Sequence, residues 1–222
     1  MQVLYEDNHI IIVNKAVGEI VQGDKTGDEP LSETVKAYIK KKYDKPGNVF
    51  LGVTHRLDRP TSGIVVFAKT SKALSRMNAL FRDDKVSKTY WALVGRMPQE
   101  REAELVNYLR KNPKQNKSYV CQSPANGAKK AITRYRLLGA SDRYFLLEID
   151  LLTGRHHQIR CQLSHIGCPI KGDLKYGAPR SNPDGGICLH ARSIRFIHPV
   201  SGKEINVTAP VPNDRLWQQI SL

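Results

Sequence analysis

VFLGVTHRLDRPTSGIVVFAK, residues 49–69, sets two apolar runs, Val49 to Val53 and Ile64 to Ala68, on either side of a polar loop. Short apolar runs rich in branched residues and bounded by Gly and Pro read as buried strands. The loop is therefore expected to be pinned at both ends. Within it one carboxylate, Asp58, lies between Arg56 and Arg59. Nearby guanidinium groups favour the ionised form, so Asp58 is expected to be an anion at neutral pH. An ionised carboxylate can serve as nucleophile or base, whereas a general acid needs a raised pKa. On these residues alone, an Arg–Asp ion pair bracing a turn meets the pattern equally well.

Working outward, Ile10 to Asn14 reads as a strand, and Leu31, Val35, Tyr38 and Ile39 fall on one face of a helix. Asp28 and Pro30 suit the start of that helix and Lys40 to Lys42 its end. Downstream, Thr70 or Ser71 can cap a helix whose apolar face is Leu74, Met77 and Phe81, and Lys88 to Val94 reads as a strand. Strand patterns then dominate, at Glu104 to Tyr108, Ser118 to Gln122, Ala131 to Leu138, Tyr144 to Leu152, Cys188 to Phe196 and Glu204 to Thr208. The cationic RKNPKQNK of residues 110–117 is expected to be an exposed, mobile loop. The pattern predicts an α+β fold, a mixed and largely antiparallel central sheet with flanking helices and loops, in one domain spanning residues 1–222 without a separating linker.

Two further segments can carry chemistry. LLTGRHHQIR, residues 151–160, ends an alternating strand and opens a helix expected to run to about Gly167, with Thr153 as its cap. That places Arg155, His156 and His157 in the first turn, where the macrodipole prefers acids, unless a phosphate or the Asp58 carboxylate answers them. A solvated basic turn would also satisfy the pattern. SKTYWALV, residues 87–94, puts Tyr90, Ala92 and Val94 on one strand face. Tyr90 could stack under a base or handle a proton; from the residues alone, a core tyrosine with a satisfied hydroxyl is the preferred reading.

Charge narrows the function. Of a formal net charge of +14, residues 51–200 supply 26 basic against 11 acidic side chains, and the two ends are balanced or slightly acidic. Such a field attracts polyanions, nucleic acid first among them. The 222 residues, 40% hydrophobic, suffice for a buried core without staples. Four irregularly spaced cysteines and no CxxC pair argue against a disulfide framework, and the N-terminus reads as neither signal peptide nor membrane span. A soluble, cytoplasmic protein with no membrane association is expected. Cys161, His165, Cys168, Cys188 and His190 lie within 30 residues, but their spacings match no usual structural zinc pattern. Neither a Walker-type phosphate loop nor a GxGxxG fingerprint occurs. No metal and no cofactor are expected.

HRLDRPTSG, SKTYWALVGR and TGRHHQIRCQLSHIGCPIKGDLKYG together, with YEDNHIIIVNKAVG before them and LHARSIRFIHPVSGKE after, resemble the RluA-type family of RNA pseudouridine synthases over roughly residues 3 to 212. The resemblance implies a pseudouridine synthase fold and isomerisation of uridine in structured tRNA or rRNA, without cofactor, metal or obligatory protein partner. It implies Asp58 as catalytic carboxylate, Tyr90 as the residue stacked on the base and accepting the C5 proton, and Arg160 as the salt-bridge partner of Asp58. Arg56 would help hold the extruded nucleotide, Leu189 would line the uracil pocket, and Arg155 would contact substrate. Many relatives carry an N-terminal S4-type RNA-binding domain; none is expected here, so substrate capture would rest on residues 51–200. A non-catalytic RNA-binding or ribosome-assembly module is the rival reading, since it would explain the charge equally well. In either case binding of a folded tRNA or rRNA fragment should weaken steeply as salt rises. Titration at several salt concentrations checks this, and a flat response would refute the electrostatic reading.

Overall fold

A computed structural model describes residues 1–124 and 126–220. In chain order the elements are β1 (Gln2–Glu6), β2 (Ile10–Lys15), α1 (Leu31–Lys42), β3 (Gly52–Val53), β4 (Ser62–Ala68) and α2 (Ser71–Arg82). Strands β5 (Ser87–Val94), β6 (Glu102–Asn112), β7 (Lys117–Cys121), β8 (Lys129–Ala140) and β9 (Phe145–Leu151) follow. Helix α3 (Gln158–His165), a single 3-10 turn (Leu174–Tyr176), β10 (Leu189–Ile197), β11 (Glu204–Thr208) and α4 (Arg215–Gln218) complete the series. Few helices and many antiparallel strands make this the α+β arrangement expected from the sequence. Contacts divide it into two compact units, Met1–Val86 with Ala191–Pro210, and Ser87–His190 with Val211–Leu222.

In the first unit the strand order is β1-β2-β4-β10, with β3 also on β4 and β11 on β10. Strand β2 pairs antiparallel with β4 from Ile10↔Ala68 to Lys15↔Gly63. Residues 10–13 and the whole of β4 are buried, which is why both read as continuous apolar runs rather than alternating ones. Helix α1 buries Leu31, Val35 and Ile39. Its first amides donate to the carbonyls of Ile20 and Val21, at 2.8 and 3.2 Å, in place of a side-chain cap. Thr70 caps α2 by accepting from the Ala73 amide. Only Gly52 and Val53 of the expected 49–53 strand pair with β4.

The second unit runs β5-β9-β8-β6-β7, each neighbour antiparallel. Its residues Leu109, Ala131, Cys161 and Tyr176 form a buried apolar cluster with Val120 against it. Strands β6 and β7 extend into the cationic segment expected to be a loop, leaving a four-residue turn at 113–116. That turn is exposed, as expected, but it is tied down. The Lys175 ammonium donates to the carbonyls of Gln115 and Asn116 at 3.3 and 3.2 Å, and His156 Nε2 lies 3.1 Å from Asn116 Oδ1.

Glu6 fastens α1 to the first unit's strands. Its carboxylate accepts from Lys42 (2.6 Å), Lys69 (2.7 Å), Tyr43 (2.9 Å) and Tyr38 (3.2 Å). Burial pushes its pKa up, but the hydrogen bonds from Lys42, Lys69 and Tyr43 outweigh that and bring it down to about 2. A depressed carboxyl pKa stabilises the fold above the unfolded value near 4.5 and loses that contribution as pH falls towards 2. Glu6→Gln should therefore cost about 1.5–3 kcal/mol at pH 7, the scale for hydrogen bonds to a charged group. Urea melts should show the difference from wild type shrinking between pH 4.5 and 2; a gap independent of pH would exclude the charge as its cause.

Candidate active site

Beyond Val53 the backbone leaves β4, but its side chains continue the ladder. The Thr54 hydroxyl donates to the Val66 carbonyl at 2.7 Å, and His55 Nε2 accepts the Val66 amide at 3.0 Å. One strand residue thus keeps both of its hydrogen bonds while the loop departs. The His55 ring also packs on Phe81, centroids 4.8 Å apart. Since Nε2 accepts, the ring proton sits on Nδ1 and His55 here is a structural anchor.

The far end of the loop is held by Lys15. This side chain is 1% exposed, and its ammonium donates to the carbonyls of Thr61 (2.6 Å), Ala16 (2.9 Å) and Arg59 (3.1 Å). The Gly18 amide donates to the same Arg59 carbonyl at 3.0 Å, and Thr61 N–H closes a turn onto the Asp58 carbonyl at 3.0 Å. Burial pulls the Lys15 pKa down to about 8, although the charges of Glu19 and Asp58 oppose the fall. Gly63 is required at the exit: its φ is +112°, and a Cβ there would lie 2.4 Å from the Ala191 carbonyl oxygen. Between these anchors Leu57 is buried, Asp58 is half-buried and Arg56 is exposed. Arg59 departs from the expected flanking role, for its guanidinium pairs with Asp28 and donates to Thr26.

In the second unit Tyr90 lies on β5 opposite Ile149 and is 8% exposed. Tyr90, Ala92 and Val94 share a buried face, as the alternation predicts. Leu189, at the start of β10, is buried. The arginine segment corrects one expectation. Helix α3 starts at Gln158, its N-cap residue His157 is left-handed at φ 51°, and no side chain caps it. Thr153 instead accepts the Ile132 amide and donates to Gln158 Oε1, which also takes the Arg155 amide. Arg155, His156 and His157 therefore precede the first turn, and the unfavourable placement against the helix dipole does not arise. Arg155 is exposed and donates through Nε to the Lys130 carbonyl.

Arg160 is 5% exposed and makes a bidentate pair with Asp173, Nε to Oδ2 at 2.7 Å and Nη2 to Oδ1 at 2.9 Å. Its guanidinium carbon stands 5.1 Å from the Tyr176 ring centroid. Two glutamines one helical turn apart seat α3 on the strands. Gln158 donates to Ile132 O and Thr133 Oγ1, Thr133 donates to Gln162 Oε1, and Gln162 donates to Leu105 O and Asn107 Oδ1. The arginine's position is thus fixed by hydrogen bonds on both faces of the helix start.

The family model for RNA pseudouridylate synthase matches residues 9–165. The chain belongs to the RNA pseudouridine synthase family. It is 33% identical to a tRNA pseudouridine synthase C of Vibrio vulnificus over 241 residues, covering 99% of this chain and 94% of that one. A ribosomal large subunit pseudouridine synthase C of Vibrio cholerae is 36% identical, covering 94% of this chain and 65% of its own. The chain spans about two thirds of the length of several of the relatives it matches. The solved structure titled Human RNA Pseudouridylate Synthase Domain Containing 4 superposes with a TM-score of 0.81 over 100% of this chain and 94% of that one, at 24% identity, a likeness of fold.

As a pseudouridine synthase, the chain divides the residues singled out from its sequence between the two units: Asp58 and Arg56 in the first, Tyr90, Arg155, Arg160 and Leu189 in the second. Sequence reading missed Lys15, Asp173 and the paired glutamines. Only the Gln158/Gln162 spacing offered a signal, since a lysine ending an apolar strand usually reads as solvated. Lys15→Met should cost about 1–3 kcal/mol by stranding buried carbonyls. Because folded Lys15 gives up its proton near pH 8 and the unfolded chain only near 10.5, the unfolded state binds more protons in that window. Wild-type stability should therefore rise relative to Lys15→Met from pH 8 to 10.5, and denaturant melts at three pH values across that window give the slope. A slope of the opposite sign would overturn the burial account.

Proposed function

We propose that this chain isomerises uridine to pseudouridine in structured tRNA or rRNA with Asp58 as its catalytic carboxylate. The observation that carries the reading is the double anchoring of the Asp58 loop, by Thr54 and His55 on Val66 and by Lys15 on Arg59 and Thr61. A carboxylate held at both ends needs little reorganisation as the reaction proceeds, and preorganisation of this kind is where catalytic advantage resides. The near full-length match to a tRNA pseudouridine synthase C makes tRNA the first substrate to test.

The target uridine must leave its stack, at a cost of about a few kcal/mol, least in loops and bulges. Phosphate contacts from exposed cations, Arg56 and Arg155 among them, offset that cost. The reaction then breaks N1–C1′, forms C5–C1′, and moves one proton from C5 to N1. Atoms and electrons balance within the nucleotide, so the chemistry calls for no redox cofactor or group donor. In this reading Asp58 assists the glycosidic cleavage, Tyr90 stacks on the base and takes the C5 proton, and Leu189 lines the uracil pocket. Asp173 holds one edge of the Arg160 guanidinium, through Nε and Nη2, and donors on another edge would pair with Asp58. Residues 1–222 would act as one catalytic domain, in the cytoplasm, without an obligatory protein partner.

Asp58→Asn keeps the size of the side chain and removes the anion. Turnover, read as pseudouridine formed in a tRNA transcript, should fall by about a hundredfold to ten-thousandfold or more. Melting temperature and RNA affinity, taken on the same preparation, should change little. Arg160→Met is a poorer probe, because stranding buried Asp173 costs about 3–5 kcal/mol on its own. Near-normal turnover in folded Asp58→Asn would falsify the catalytic role, and absence of turnover in wild type would favour the non-catalytic RNA-binding module.

A further inference from the structure

The second unit holds a pocket of about 460 Å³ that none of the chemistry above uses. Gly95 and Arg96, just past β5, line it together with Lys171, Tyr176 and Arg180. Tyr144 and Pro169 add apolar surface to its lining. Three cations line it and no carboxylate does. Among the described residues neither Arg96 nor Arg180 has an ion-pair partner, and both are exposed. Lys171 is oriented, since its ammonium donates to Asn182 Oδ1 at 2.6 Å and to the Ser181 carbonyl at 3.3 Å.

The geometry points to a second RNA-contact site here, one that takes a single nucleotide of the substrate with its phosphate on Arg96 and Arg180 and its base or ribose against Tyr144. The volume suits one nucleotide, falling in the roughly 300–1,000 Å³ range of small-ligand sites. Arginine is the side chain that reads phosphate oxygens in pairs, and an aromatic face accepts any base. RNA is favoured over a free nucleotide by what the pocket lacks. A site that selects one base needs a polar reader, and the Ser164 hydroxyl, the candidate for that part, is already donated to the Tyr176 carbonyl at 2.6 Å. Exposed, adaptable arginines suit a passing backbone.

The pocket also adjoins the arginine segment's supports. Lys171 and Tyr176, in its wall, bracket Asp173, and Asp173 and Tyr176 are the two residues that position Arg160. Tyr176 further accepts the Ser118 amide at 2.8 Å, and its hydroxyl lies 3.0 Å from His157 Nδ1. The site rests on RNA being the substrate but not on any assignment of catalytic residues.

The test uses the full chain, a folded tRNA transcript and three variants: Arg96→Gln/Arg180→Gln, Tyr144→Ala, and Lys72→Gln as an exposed-cation control from α2. The double variant should bind the transcript about tenfold more weakly, and its plot of log affinity against log salt should flatten by about 0.7 to 0.9, the value for one phosphate no longer neutralised. Tyr144→Ala should weaken binding several-fold with the salt slope unchanged, and Lys72→Gln should alter neither. Uridine monophosphate at millimolar concentration should not compete with the transcript for binding. Affinity and slope within twofold of wild type and within 0.3 units in the folded double variant would overturn the proposal. So would tight uridine monophosphate binding abolished by the double substitution with RNA affinity intact, the signature of a free-nucleotide site. Binding is read without turnover, so failure of the catalytic assignment leaves this result interpretable.

Discussion

Lys15 ends β2 with its ammonium out of water, and three carbonyls close around it. A desolvated cation is costly unless every donor finds an acceptor, and here the acceptors are the backbone of the loop that presents Asp58. The loop is consequently folded around the charge. The register of β2 on β4 puts Lys15 opposite Gly63, at the point where the chain re-enters the sheet. A slip of one residue would turn Lys15 to the other face and leave the Arg59 and Thr61 carbonyls without their donor. What prevents the slip is apolar burial: Ile10 to Val13 and Ile64 to Ala68 are each no more than 2% exposed. Hydrophobic register and loop geometry are thus one constraint seen at two distances.

That constraint explains how much could be read in advance. Two apolar runs around a polar loop were enough to place Asp58 on a fixed crest, because periodicity and turn residues are local signals. The α+β class and the position of almost every strand followed in the same way. Partners across the fold were not legible. Arg59, adjacent to Asp58 in sequence, turns to Asp28, because a loop's side chains are aimed by backbone torsion and not by adjacency. Thr153 has the composition of a helix cap, yet the Ile132 amide and Gln158 claim its hydroxyl, and the helix begins later. Tertiary hydrogen bonds overrode a local preference worth about 1 kcal/mol. His55, whose ring stands in for a missing strand partner, carries no sequence signal of that role.

Buried polar groups in the second unit follow a different logic. Arg160 and Asp173 are both nearly inaccessible, and such a pair gains little net stability over well-packed apolar residues. Its use is orientation. Bidentate pairing with Asp173 and the face of Tyr176 leave the guanidinium one plane to occupy. The Gln158, Thr133 and Gln162 chain does the same for the helix that carries it, with each polar atom answered by another. A half-satisfied network would cost more than an apolar core, so these residues stand or fall together.

The basic excess of the middle of the chain resolves into two populations once pairing is considered. Arg59, Arg82, Arg134, Arg136 and Arg160 answer carboxylates of this protein. Arg56, Arg96, Arg155 and Arg180 have no carboxylate partner among the described residues and are exposed. The first group is neutralised locally and contributes little to a long-range field, which falls off over roughly 8–10 Å at ordinary ionic strength. The second keeps its full charge for phosphate. The paired arginines serve the fold, and exposed cations without a carboxylate partner remain available to a polyanion. The two properties are separable in this chain because the same side-chain type has been committed to different partners.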